Sequence, residues 1–182
     1  MNFPKTPGQC KYMLAIGSPK PIVVGTGPAG SGKTILACQV ALDHVAKLQR
    51  PKIVLTRPIV AADEDMGYLP GDIDQKMEPW TKPMYDIFEQ FFTYTQMDRF
   101  ITVEPLGYMR GRTFNDTLII ADEMQNATPN QMKMLLTRVG EGTKLIITGD
   151  LEQSDLGPEN GLQDLIYKMQ CHDLQYITHV EM

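Results

Sequence analysis

Residues 27–34 read Gly-Pro-Ala-Gly-Ser-Gly-Lys-Thr and match the complete G-x-x-x-x-G-K-[ST] phosphate loop. The loop follows a short apolar run, residues 22–25, which predicts a buried strand. It precedes Ile35-Leu36-Ala37, which opens a helical pattern. A strand before the loop and a helix after it are the context that this motif requires, so the chain is constrained to an α/β arrangement around a polyphosphate site.

The parts of this loop have distinct chemical roles. Glycines let the backbone curl so that successive N–H groups point at a polyphosphate. Lys33 supplies a positive charge for the β- and γ-phosphates, and the Thr34 hydroxyl is a ligand for Mg²⁺. The predicted nucleotide-binding residues of the loop are Gly27, Pro28, Ala29, Gly30, Ser31, Gly32, Lys33 and Thr34.

Composition predicts one cytoplasmic domain. The 182 residues are 42% apolar and 21% charged, which is typical of a globular domain. No apolar run approaches the ~20 residues that span a bilayer, and the N-terminal residues do not resemble a signal peptide. The three cysteines lack metal-binding spacing, which favours free thiols in a reducing compartment. We therefore predict a single domain over 1–182 in the cytoplasm (the host cytoplasm for a viral protein), with no membrane partner.

Six apolar segments predict strands, and several are continuous runs typical of a parallel sheet covered on both faces. These segments are residues 22–25, 52–56, 100–103, 118–121, 144–148 and 176–180. Helical patterns fall between them, so we predict right-handed βαβ units in a three-layer α/β sandwich. Residues 61–83 are rich in proline, glycine and acids, and predict a long irregular insertion that is either functional or a solvated excursion.

Two adjacent acids follow the apolar segment 118–121. Ligands in parallel sheets bind at the carboxyl ends of the strands, so Asp122 is placed to hold Mg²⁺ directly or through water. Glu123 would polarise the water that attacks the γ-phosphate. A carboxylate pair alone is weak and also suits the start of a helix, but together with the phosphate loop it indicates a hydrolytic site.

A third pattern is Thr148-Gly-Asp150-Leu-Glu-Gln153, which ends another buried segment. Gln153 can donate and accept hydrogen bonds near the γ-phosphate or the water, and Thr148 is a second candidate there. For Asp150 and Asp155, orienting a neighbour and capping the loop are equally good interpretations.

Hydrolysis usually needs a cation near the γ-phosphate, and arginine suits phosphate because of its planar fork. Arg110 and Arg112 share one loop before the acidic segment. Arg138 falls in the last turn of a predicted helix, where a catalytic role and a role at the helix C-terminus are equally supported. Arg57 is the remaining candidate.

Taken together, these motifs resemble the PhoH-like ATPase family, the phosphate-starvation-inducible group. The resemblance covers about residues 5–161, and the arginine pair and the Asp-Glu-x-Gln-Asn run are distinctive within it. Besides the phosphate loop, it rests on Lys5-Thr-Pro-x-Gln9, Leu55-Thr-Arg-Pro58, Tyr68-Leu-Pro-Gly-Asp72, Tyr108-Met-Arg-Gly-Arg-Thr113, Ala121-Asp-Glu-Met-Gln-Asn-Ala-Thr128, Gln131-Met-Lys-Met134, Leu136-Thr-Arg138 and Thr148-Gly-Asp-x-x-Gln153.

The resemblance implies a RecA-like P-loop NTPase fold, similar to the N-terminal domain of superfamily 1 helicases. Gln9 then matches the helicase glutamine that reads adenine, although Gln9 alone is a weak signal. The catalytic acids match at Asp122 and Glu123, and Gln153 matches the glutamine after the sensor strand. The implied cofactors are ATP and Mg²⁺.

Two departures affect the expected assembly. The family core usually ends with a strand, an acidic residue, valines and an arginine, whereas this chain stops at Met182 without that arginine. Superfamily 1 enzymes close two RecA-like domains over the nucleotide, and this chain has room for one and for no nuclease domain. We therefore expect a homo-oligomer, such as a hexameric ring, in which a neighbour supplies an arginine in trans.

The resemblance favours an ATPase coupled to single-stranded nucleic acid, RNA before DNA. The net charge of −5 gives no general attraction to nucleic acid, so any binding needs a local patch. Tyr68 and Trp80 could stack on bases, although packing is the commoner use of such residues. Two alternatives are a small-molecule kinase with Arg110 and Arg112 as lid residues, and an ATP-gated interaction module with little turnover.

Overall fold

The computed structural model describes residues 4–47, 51–58 and 73–182. In this part of the chain, helices and strands alternate along most of the sequence. The helices are α1 (Pro7–Gly17), α2 (Lys33–Lys47), α3 (Ile73–Phe88), α4 (Tyr94–Met97), α5 (Pro129–Leu136) and α6 (Gly161–Cys171). The strands are β1 (Ile22–Thr26), β2 (Ile53–Thr56), β3 (Ile101–Val103), β4 (Leu118–Ala121), β5 (Lys144–Gly149) and β6 (Ile177–Glu181). Short 3₁₀ turns span Leu106–Met109, Met124–Asn126 and Leu151–Gln153.

The described strands form one parallel sheet in the order β3-β2-β4-β5-β1-β6. All six predicted strands are confirmed to within one residue at either end. The order places β5 between β1, which leads into the phosphate loop, and β4, which ends at Asp122. The carboxyl ends of three central strands therefore lie side by side at one edge of the sheet.

Both faces of the sheet are covered, because alternate residues of each strand point to opposite sides. Val24, Ile119 and Ile147 belong to a core completed by residues of α5 and α6. Val23 and Ile146 belong to the other core, with residues of α1, α2 and α3. The predicted three-layer α/β sandwich with a mainly parallel sheet is confirmed.

The prediction of an irregular insertion over 61–83 was wrong for 73–83, which lie in α3. The prolines at 79 and 83 disfavour a helix by removing backbone donors. Near the end of α3, however, Met84 and Phe88 are fully buried in the core on the α1 and α2 side of the sheet. Tertiary burial of this kind outweighs local propensity. The rest of the predicted insertion, residues 61–72, lies outside the described residues.

A capping box begins α5, with the Thr128 hydroxyl accepting the Gln131 N–H and the Gln131 side chain accepting the Thr128 N–H. The helix ends at Leu136, with Thr137 as its C-cap. A Cβ at Gly140 would lie 2.6 Å from the carbonyl oxygen of Phe114, so glycine is required there for close approach between segments.

Gly25 in β1 has the same kind of role against α1. A Cβ there would lie 2.5 Å from Cε2 of Tyr12, whose side chain is fully buried. We expect Gly25→Ala to lower the free energy of unfolding by about 1–3 kcal/mol, because the ring must leave its packed position. Urea denaturation followed by circular dichroism measures this. Gly107→Ala is the control, since its Cβ would meet no atom within 4 Å; equal midpoints for the two variants would contradict the expectation.

Candidate active site

The phosphate loop joins β1 to α2 at the carboxyl edge of the sheet. Gly30 and Gly32 have φ values of 76° and 91°, in the region that glycine enters without strain. The curled backbone that the motif predicts is therefore present, and α2 begins directly after it at Lys33. The N-terminal end of α2 adds its partial positive charge to the loop.

Lys33 folds back onto the loop and holds its curvature. Its ammonium donates to the carbonyl oxygens of Gly27 at 2.8 Å and Pro28 at 2.9 Å, and to the Ser31 hydroxyl at 3.3 Å. Burial lowers the pKa of Lys33 from its ordinary value, while the carboxylate of Asp150 acts in the opposite direction. Lys33 is thus only 9% exposed, and two carbonyl oxygens of the loop accept hydrogen bonds from its ammonium.

The two predicted magnesium ligands are brought together. The Thr34 hydroxyl donates to Oδ1 of Asp122 at 3.0 Å, although the residues are far apart in the sequence. Thr148, fully buried at the end of β5, donates to the same oxygen. The strand order explains this meeting, since β5 lies between β1 and β4. A hydroxyl and a carboxylate beside a phosphate site fit Mg²⁺, which takes few protein ligands and keeps water and phosphate oxygens.

Glu123 follows Asp122 in a left-handed conformation, with φ 55° and ψ 36°. Such a backbone is uncommon for a residue with a side chain and is typical of functional sites. Its carboxylate accepts a hydrogen bond from Nε2 of Gln125 at 2.6 Å. Sequence reasoning missed a role for Gln125, whose only signal was its place in the distinctive Asp-Glu-x-Gln-Asn run.

Asp150 has two roles that the sequence left open. Its Oδ1 accepts the Glu152 N–H at 3.0 Å and caps the 3₁₀ turn Leu151–Gln153. Its Oδ2 accepts the backbone N–H of Ala29, inside the phosphate loop, at 3.1 Å. A loop amide therefore already binds an oxyanion in this structure, which is the chemistry that a polyphosphate would use. The donor set of the loop fits the predicted ligand.

Gln9 contacts the phosphate loop directly. Its Nε2 donates to the carbonyl oxygen of Ser31 at 2.9 Å. Its Oε1 accepts the N–H groups of Lys5 at 2.6 Å and Thr6 at 3.3 Å at the start of α1. The amide thus braces the phosphate loop against α1, a role that the sequence did not predict.

Gln153 lies in the 3₁₀ turn after β5 and is exposed. Its backbone N–H donates to the carbonyl oxygen of Asp150 at 3.2 Å. Its side chain makes no hydrogen bond to another described residue. The predicted contact of Gln153 with a phosphate or a water therefore stays a prediction.

The predicted arginines lie in different surroundings. Arg110 is exposed at the end of the turn Leu106–Met109. Arg112 pairs with Glu104, and its guanidinium lies 4.7 Å from the ring centroid of Phe114. Among the described residues, neither makes a hydrogen bond to the phosphate loop.

Arg138 has contacts that favour the structural interpretation left open above. Its Nε donates to the carbonyl oxygen of Met134 at 3.2 Å, in the last turn of α5. Its Nη1 donates to the carbonyl oxygen of Arg112 at 2.8 Å. These bonds satisfy a carbonyl group at the C-terminal end of α5 and connect this helix to the loop that carries Arg110 and Arg112. Within this chain, the geometry gives Arg138 no contact with Lys33 or Glu123.

Trp80 is half-buried, with the guanidinium of Arg57 4.7 Å from its ring centroid. Packing therefore accounts for this tryptophan, while Tyr68 lies outside the described residues. The cysteines are free thiols, as predicted. In residues 4–47, 51–58 and 73–182, no group of three or more His, Cys, Asp or Glu side chains could hold a metal, and no helix has the length and apolar character to cross a membrane.

Several curated proteins are similar to this chain over most of its length. A PhoH-like protein of Bacillus subtilis (strain 168) is 46% identical over 165 residues, which are 87% of this chain and 51% of that protein. A PhoH-like protein of Mycobacterium tuberculosis (strain H37Rv) is 45% identical over 88% of this chain and 47% of its own length. Protein PhoH of Escherichia coli (strain K12) is 40% identical over 89% and 48%. The chain thus spans about half the length of the curated relatives it matches.

Among solved structures, the Pif1 helicase from Candida albicans aligns with all of this chain and 40% of its own, at 15% identity and a TM-score of 0.48. The family model described as PhoH-like protein matches residues 3–182. The phosphate loop, the strand-end acids and the parallel sheet are those of a P-loop NTPase. With this match and relatives at 40% to 46% identity, the chain belongs to the PhoH-like protein family.

Proposed function

We propose that this protein binds ATP and hydrolyses it with Mg²⁺, in a process coupled to single-stranded nucleic acid. The observation that carries the proposal is the meeting of Thr34 and Asp122 at 3.0 Å beside the phosphate loop. A loop hydroxyl and a strand-end carboxylate are the pair that holds the magnesium of a bound nucleotide in P-loop enzymes. Bound Mg²⁺ would neutralise charge on the phosphates.

The protein's own residues then supply the remaining chemistry. Lys33 and the loop N–H groups would bind the phosphates, and Glu123 would orient the attacking water and accept its proton. Gln9 would donate its second Nε2 N–H to adenine while it braces Ser31, and its Oε1 would have to release the N–H of Lys5 or Thr6 to accept from the base. Asp150 would have to give up the Ala29 N–H when a phosphate enters, since that N–H cannot serve two anions.

Release of inorganic phosphate from ATP tests the activity. We expect hydrolysis by the unmodified protein in Mg²⁺, none after chelation with EDTA, and a strong loss in Asp122→Asn, which keeps the shape of the side chain and removes its charge. Asp164→Asn is the matched control, because this helix carboxylate pairs with Lys168 at the surface. Magnesium-independent hydrolysis, or an active Asp122→Asn variant, would contradict the assignment. Transfer of phosphate to an added nucleoside or sugar instead would indicate a kinase.

Coupling to nucleic acid rests on the family resemblance stated above, with RNA expected before DNA. A comparison of phosphate release with and without a single-stranded oligonucleotide, RNA and DNA in separate arms, tests it. We expect RNA to raise the rate. An equal rate in all arms would leave an ATPase without this coupling.

We further propose that a neighbouring copy completes the site with Arg110, in a closed ring of subunits. Support comes from its exposure and from the contacts that already engage Arg112 and Arg138 within the chain. Arg110→Ala should therefore lower hydrolysis by about 10³–10⁵-fold, as for an arginine supplied in trans. Mixing it with a Glu123→Gln variant should restore activity, because a mixed assembly contains sites with both groups intact. Light scattering that shows a fully active monomer would rule out the ring.

A further inference from the structure

The side chain of Gln125 lies inside the protein, between two segments of the site. It belongs to the 3₁₀ turn Met124–Asn126 and is 1% exposed. Its Nε2 donates to Oε2 of Glu123 at 2.6 Å, and its Oε1 accepts the backbone N–H of Asp150 at 3.1 Å. Both ends of a fully buried amide are thus engaged, one by the predicted catalytic acid and the other by the segment after β5.

These two contacts fix the orientation of the amide. The backbone N–H of Asp150 can only donate, and the ionised carboxylate of Glu123 can only accept. Oε1 must therefore face Asp150, and Nε2 must face Glu123. A flipped amide would set donor against donor at one end and acceptor against acceptor at the other.

The packing around Gln125 leaves the amide little freedom. A Cβ on Gly149 would lie 2.7 Å from Oε1 of Gln125 and 2.5 Å from Cδ2 of Leu162, so only glycine allows β5 to approach this closely. On the other side, the carbonyl oxygen of Gln125 accepts the Ser154 hydroxyl at 2.7 Å. The turn after β4 is thereby clamped to the segment after β5 at two points.

The hydrogen-bonded chain continues into the phosphate loop. Asp150, whose N–H holds Gln125, also accepts the N–H of Ala29 through its carboxylate at 3.1 Å. An unbroken path therefore runs from Glu123 through Gln125 and Asp150 to Ala29. A phosphate in the loop would compete with Asp150 for that N–H, because like charges close together repel.

We infer that Gln125 is a positioning residue, which aims the Glu123 carboxylate and transmits to it, through Asp150, whether the phosphate loop is occupied. The inference rests on the proposed ATP hydrolysis. Entry of a phosphate displaces the Asp150 carboxylate from Ala29, shifts the N–H that holds the Gln125 amide, and so changes the direction in which Nε2 holds Glu123. The Glu123 carboxylate is therefore oriented to activate water only when a phosphate occupies the phosphate loop.

A kinetic comparison tests the positioning role. Gln125→Met fills a similar volume without hydrogen bonds, and it should lower kcat for ATP about 10- to 100-fold, as losses of supporting residues around a site do. The dissociation constant for ATP should change far less than kcat, because Gln125 makes no hydrogen bond to residues 27–34 and affects them only through Asp150. Gln163→Met, an exposed glutamine of α6, is the control and should keep the original kcat. An unchanged kcat in Gln125→Met would overturn the inference.

Gln125→Glu adds a readout that a merely structural role would not move. Its carboxylate repels Glu123 when ionised and replaces the lost donor when protonated, and two adjacent carboxylates bind one proton more readily. Relative to the unmodified protein at each pH, its kcat should rise as pH falls from about 8 to about 6. A ratio that does not change with pH would contradict the role of the Nε2 donor.

The link to the phosphate loop is tested without hydrolysis. The side-chain amide resonance of Gln125, identified by its loss in Gln125→Met, should shift in ¹H–¹⁵N spectra when inorganic pyrophosphate saturates the unmodified protein. Binding without a shift would overturn the inference and leave the proposed function intact. A shift in a protein that does not hydrolyse ATP would overturn the proposed activity and leave only the link between the loop and Gln125, and failure to bind pyrophosphate would overturn both proposals.

Discussion

Replacing Glu123 with glutamine should lower kcat for ATP hydrolysis by about 10²–10⁴-fold, the contribution expected of a general base. Glutamine has the shape of glutamate, and its amide can turn its oxygen toward Nε2 of Gln125, which donates to the carboxylate at 2.6 Å in the present chain. The substitution thus removes the proton acceptor and keeps the local hydrogen bond. ATP binding should persist, because Lys33 and the loop are untouched.

Phosphate release and equilibrium binding of ATP, measured on the same preparation, check this prediction with and without RNA. Glu89→Gln is the matched control, since this exposed carboxylate lies beyond the end of α3 and outside the site. Equal hydrolysis by Glu123→Gln and the unmodified protein would leave only a nucleotide-binding role. Joint loss of binding and hydrolysis would show that Glu123 supports the loop instead of activating water.

Lys33→Ala should abolish nucleotide binding at ordinary concentrations. The ammonium is the cation built into the loop, and each charged hydrogen bond it would donate to phosphate is worth about 1.5–3 kcal/mol, or roughly tenfold to a hundredfold in affinity. Its loss also frees the carbonyl oxygens of Gly27 and Pro28, which Lys33 now draws together at 2.8 and 2.9 Å. The curled loop then loses both its charge and its internal brace.

Calorimetric titration with ADP measures the loss, and circular dichroism establishes that the variant is folded. Lys47→Ala is the control, because this lysine lies at the exposed far end of the same helix, α2. A dissociation constant equal to that of the unmodified protein would exclude Lys33 as a phosphate ligand. The comparison separates the effect of removing the Lys33 charge from the effect of removing any positive charge from α2.

Much of the site was predictable because short sequence motifs specify its chemistry. The glycine spacing of the phosphate loop demands positive φ angles, which Gly30 and Gly32 adopt. The pair Asp122-Glu123 ends a continuous apolar strand, so its position at the carboxyl edge follows from the fold class. The meeting of Thr34 with Asp122 at 3.0 Å depends, in contrast, on the strand order of the folded sheet.

What the sequence did not predict are contacts between residues that are distant in sequence. Residues 73–83 contain helix-breaking prolines, yet they belong to α3, whose C-terminal part buries Met84 and Phe88 in the core. Arg138 donates to the carbonyl oxygen of Arg112, a contact between distant residues that no spacing rule anticipates. Gln9 similarly holds Ser31 from another helix.

By itself, the sequence determined the α/β class, the six strands, the phosphate loop and the acids at the end of β4, because periodicity and motif spacing are local properties of a chain. Only the tertiary structure decided that Asp150 occupies the N–H of Ala29 and that Gln125 joins Asp150 to Glu123. Those contacts exist because β5 packs between β1 and β4. Long-range strand order, which burial of both sheet faces stabilises, converts separate motifs into one connected site.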